Sequence, residues 1–65
     1  NCIINSKVLI EHDCKINNNC HISTNATING GVIVGSESFI GSGAILKQSI
    51  KIQNGSFIKA GQLVK

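Results

Sequence analysis

The sequence contains no methionine, proline, arginine, tryptophan or tyrosine, and its only aromatic residues besides two histidines are Phe39 and Phe57. A core made from it must therefore rely on Ile, Val, Leu and small side chains. The formal charge of +3 comes from six lysines that never stand side by side, with no arginine or aromatic interleaving to stack on bases. Nucleic acid is thus not an expected partner. No apolar run approaches the roughly 18 residues of a membrane span, and no basic-then-apolar leader is present, so no membrane association is expected. The three cysteines are odd in number and lack metal-ligand spacing. They point to a reducing, cytoplasmic setting more than to a disulfide scaffold, and no metal is expected. Without a methionine, the chain is expected to be a piece of a longer protein. As a compact globule, 65 residues would bury only about 60% of the unfolded surface, a marginal amount.

What the chain has in abundance is a six-residue period. Every sixth residue from Ile4 is aliphatic: Ile4, Ile10, Ile16, Ile22, Ile28, Val34, Ile40, Leu46, Ile52, Ile58 and Val64. Four residues beyond each comes a mostly small one, including Cys14, Cys20, Ala26 and Ala44. Three residues beyond, seven of ten repeats place Asp, Asn or Gly, the types that enter left-handed backbone most cheaply. A helix would repeat its apolar stripe at three and four residues, so the pattern predicts a short strand followed by a bend. Three such units close a triangular coil, and coils stack about 4.8 Å apart as parallel strands with the aliphatics inside. Residues 1–65 then form one all-β solenoid domain of about three and a half coils.

Register separates the residues that the repeat explains from those it does not. Cys2, Cys14 and Cys20 take the small inward position and read as packing residues. Asn17, Asn18 and Asn19 turn a corner. Lys47, Lys59 and Lys65 read as solvated edge residues, with contact to the phosphates of an anionic cofactor as the alternative. His12 and Asp13 occupy bend positions where nothing in the fold requires an imidazole. An adjacent carboxylate can accept from one ring nitrogen and leave the other free as a base. His21 points outward nine residues later, half of an 18-residue perimeter, so the two imidazoles lie on opposite sides of one prism. They cannot share a reaction centre within one copy, but they can meet across an interface between copies packed around a threefold axis.

The stretch "IEHDC", the nine-residue step to "HIS" and the "GG" one coil above His12 resemble the bacterial hexapeptide-repeat sugar acetyltransferases. These are the sialic acid O-acetyltransferases and the UDP-4-amino-sugar N-acetyltransferases of bacillosamine synthesis. The resemblance implies a left-handed parallel β-helix, a hand that general crossover rules would not predict. It implies a homotrimer with sites between subunits, acetyl-CoA as co-substrate and a nucleotide-linked sugar or sialic acid as acceptor. An N-terminal nucleotide-sugar domain of such proteins has no counterpart in residues 1–65, so this piece alone is expected to be inactive.

Carried over by position, His12 resembles the general base and Asp13 the carboxylate that orients it. Gly30, 18 residues beyond His12, resembles the backbone donor to the thioester oxyanion. His21, Ser42 and Ala60 or Gly61 match cofactor contacts, and Asn5 matches a polar residue near the acceptor. His12, Gly30 and Gln48 would form one groove wall, and His21, Ser42 and Ala60 of a neighbouring copy the other. No covalent acetyl-enzyme is expected, because no serine or outward cysteine sits beside His12. Two alternatives compete. A metal-dependent hydratase on the same helix needs three converging histidines, and this chain has two. A non-catalytic assembly module explains the repeat completely but leaves "EHD" without a role.

Overall fold

A computed structural model describes residues 2–65. Within them the chain forms eleven two-residue strands: β1 (Ile3–Ile4), β2 (Leu9–Ile10), β3 (Lys15–Ile16), β4 (His21–Ile22), β5 (Thr27–Ile28), β6 (Ile33–Val34), β7 (Phe39–Ile40), β8 (Ile45–Leu46), β9 (Lys51–Ile52), β10 (Phe57–Ile58) and β11 (Leu63–Val64). They pair in parallel at a fixed offset, Ile4 with Ile22 and Ile22 with Ile40. Three flat faces result. The first carries β1, β4, β7 and β10, the second β2, β5, β8 and β11, and the third β3, β6 and β9. This is the parallel triangular solenoid expected from the hexapeptide period, and the left-handed β-helix that the family resemblance implies, with Cα extents of 20 × 20 × 17 Å.

The bends explain how so short a repeat can turn. Every residue three beyond an aliphatic has a left-handed backbone, from Lys7 (φ 60°) and Asp13 (φ 61°) through Gly31 (φ 73°) to Gly61 (φ 72°). Lys7, Glu37 and Ser49 adopt it as well, although their side chains favour it least; each such residue costs about 1–2 kcal/mol. Stacking holds Glu37 and Ser49 there. The N–H of the left-handed residue donates to the corner carbonyl one coil below, as in Glu37 N to Asn18 O (2.9 Å), Ser49 N to Gly30 O (2.9 Å) and Gly31 N to His12 O (3.0 Å).

The aliphatic column fills the prism. Ile22, Ile28, Val34, Ile40 and Leu46 are fully buried, each contributing about 1.5–3 kcal/mol relative to exposure. Small polar residues are admitted to the interior because each finds an acceptor. The Cys14 thiol donates to Asn29 O (3.0 Å), the Cys20 thiol to Gly35 O (3.1 Å) and the Ser38 hydroxyl to Gln53 O (3.1 Å), always fifteen residues on. Cys2 repeats this contact with Asn17 O at 2.9 Å but is exposed. The packing role expected for the cysteines thus takes a definite form at Cys14 and Cys20.

The outward sides of the faces differ. The first presents Ile3, His21, Phe39 and Phe57, the second Leu9, Thr27, Ile45 and Leu63, and the third Lys15, Ile33 and Lys51. His21 and Phe39 lie 5.2 Å apart between ring centroids, and Phe39 stacks on Phe57 at 5.0 Å and 10°. Parallel, in-register pairing with nothing between makes this ladder, since equal positions one coil apart must touch.

Candidate functional site

His12 and Asp13 form the bend between β2 and β3, at the edge joining the second and third faces. The carbonyl of His12 is held by Gly31 N at 3.0 Å, which fixes its backbone beneath Gly30. The imidazole lies against Gly30: a Cβ placed there would be 3.0 Å from Cε1 and 3.1 Å from Nε2. A side chain at 30 would push the ring away by a few tenths of an ångström. His12 Nδ1 is 3.4 Å from Asp13 Oδ2, with both side chains largely exposed (76% and 89%). At that length and exposure the contact orients the ring without fixing it rigidly.

Gly30 is buried, and its carbonyl accepts from Ser49 N at 2.9 Å. Among the described residues no acceptor faces its N–H. At the equivalent bend position one repeat later, Ser36 N donates instead to the Asn54 side chain at 2.8 Å; what sets Gly30 apart among the bends is the His12 ring lying against it. His12 and Gly30 open onto a cleft of about 340 Å³ lined also by Glu11, Asn29, Lys47 and Gln48. The wall of His12, Gly30 and Gln48 expected from register is therefore one surface.

Sequence pattern did not single out Glu11 or Asn29 for this wall, and it read Lys47 as a solvated edge residue. They form the column one residue before the bend, 18 residues apart, and the register that placed Gly30 over His12 would have found them. Asn29 is fixed by Nδ2 donating to Leu46 O at 2.9 Å, which leaves its Oδ1 as an acceptor.

The remaining predicted residues lie elsewhere on the prism. His21 is on β4 of the first face, opposite the His12 edge. Asn5 lies with it, Nδ2 donating to His21 Nε2 at 3.3 Å in the tautomer that leaves Nε2 unprotonated. Ser42, Ala60 and Gly61 are exposed at the edge joining the first and second faces, where Gly61 N donates to Ser42 O at 2.8 Å. The structure thus groups His12, Asp13 and Gly30 in one place, Asn5 and His21 in a second, and Ser42, Ala60 and Gly61 in a third. Within one copy it does not bring the three groups together.

Fold and repeat define a class, the parallel β-helices built from hexapeptide units. Residues 13–48, more than half of the chain, match the family described as bacterial transferase hexapeptide (six repeats), and the protein belongs to that family. Such domains are common in transferases, acyltransferases among them, and their proteins commonly form trimers. Neither a curated protein nor a solved structure matches the chain.

Proposed function

We propose that the protein transfers an acetyl group from acetyl-CoA to an amine or hydroxyl of a sugar, such as a nucleotide-linked sugar or sialic acid, at a site shared between copies of a homotrimer. One observation carries this reading: an imidazole with a carboxylate at its back rests on a glycine whose N–H has no partner, inside a cleft. His12 removes the proton of the acceptor nucleophile as its lone pair attacks the thioester carbonyl. Asp13 orients the ring. The Gly30 N–H donates to the oxyanion that forms. Collapse of that adduct expels the thiolate, which takes the proton from His12, and leaves the amide or ester. Because base and donor are held together, direct attack within a ternary complex suffices.

The opposite wall comes from a neighbouring copy, whose His21, Ser42 and Ala60 or Gly61 hold the cofactor, with Asn5 near the acceptor. Support for this division is the separation of the groups on one prism, together with the aromatic ladder beside His21, a surface suited to burial against another chain. His12→Ala in the assembled protein should reduce thiol release from acetyl-CoA by about 10²- to 10⁴-fold. Thermal stability should stay unchanged, since the ring is mostly exposed. Activity within about threefold of the unaltered protein would defeat the assignment, given the usual contribution of a general base.

A further inference from the structure

The cleft is not electrically uniform. Besides the His12 imidazole, its lining holds one carboxylate, Glu11, and one ammonium group, Lys47. Both belong to the same column, with the Asn29 amide between them. At about 4.8 Å per coil, Glu11 and Lys47 are levels about 10 Å apart. Glu11 stands at the level of His12, and Lys47 stands beyond Gly30. A donor thioester whose carbonyl sits at Gly30 and whose tail carries phosphates is drawn toward the Lys47 end. The acceptor then enters at the Glu11 end.

From this polarity we infer that Glu11 is an acceptor-positioning residue that selects a primary amine. The inference rests on the transfer reading above and deepens it. An attacking amine has two hydrogens, one for His12 and one for the Glu11 carboxylate. A hydroxyl has a single hydrogen, which goes to His12, and this leaves the carboxylate facing an oxygen lone pair. An acceptor bearing its own carboxylate is repelled by Glu11. The class of substrate is accordingly an amino sugar, and neither a carboxylate-bearing sugar nor a purely hydroxylated one. Glu11 is free for this role, because its side chain is exposed and its backbone N–H is already bonded to Ile28 O at 2.9 Å.

The test compares the full-length protein, unaltered, with its Glu11→Ala and Glu11→Asp variants, measuring thiol release from acetyl-CoA with an amino sugar and with its hydroxyl counterpart. The expected result is a preference for the amine that falls about tenfold or more in Glu11→Ala, the effect of losing one charge-assisted hydrogen bond. The loss should lie in KM for the amine, leave KM for acetyl-CoA unmoved and be partly restored in Glu11→Asp. A preference unchanged by Glu11→Ala, or an equal loss on both acceptors, would overturn the inference while leaving acetyl transfer intact. An unaltered protein that prefers the hydroxyl would also overturn it. Failure to release thiol with either acceptor would overturn the transfer reading and the inference together.

Discussion

Two edges of the prism are built on the same backbone and serve different ends. Both carry left-handed residues bonded to the coil below, and both contain a glycine near the bend. At the edge between the second and third faces, Gly30 is spared a side chain so that the His12 ring can rest on it, the nearest atoms belonging to a flexible, exposed group. At the edge between the first and second faces, Gly41 has no such freedom. A Cβ there would lie 2.4 Å from Ala60 N and 2.6 Å from Lys59 C, both backbone. One glycine therefore makes room for a side chain, and the other makes room for the next coil.

That contrast can be broken with one methyl group at each edge. Gly41→Ala should have the larger effect on the fold. The two coils are pinned by Gly41 N to Ile58 O (2.7 Å) and Gly61 N to Ser42 O (2.8 Å), so neither can retreat. A cost of about 3 kcal/mol or more is expected, read as a lowered midpoint in thermal or urea unfolding. Gly30→Ala should cost within about 1 kcal/mol, because the imidazole can swing into solvent. Its effect belongs to the chemistry: a displaced base should lower kcat by about 10- to 100-fold. If Gly30→Ala unfolded the protein, or Gly41→Ala left it untouched, the distinction would be lost.

The same contrast marks what could be read from the sequence. The period gave the three faces, the inward column and the pairing offset, since each depends only on residue type at a fixed step. It also placed Gly30 above His12, because register is inherited from coil to coil. Residue type did not reveal that Lys7, Glu37 and Ser49 share the left-handed backbone. At Glu37 and Ser49 the stacking hydrogen bonds override local preference. Nor did it reveal that Glu11, Asn29 and Lys47, from three separate coils, line the groove beside His12, Gly30 and Gln48, or the clash at Gly41, which depends on how closely two coils approach.

The central claim is that His12 and His21 act in different copies of the chain. Nothing in one prism brings them together, since the edge bearing His12 lies opposite the face bearing His21. Mixed assemblies decide the matter. His12→Ala and His21→Ala should each be impaired when assembled alone. Co-assembled in equal amounts, they should regain up to about a quarter of the unaltered activity, because that share of interfaces pairs an intact His12 with an intact His21 from the neighbouring copy. A mixture no more active than the average of the two separate variants would contradict the shared site.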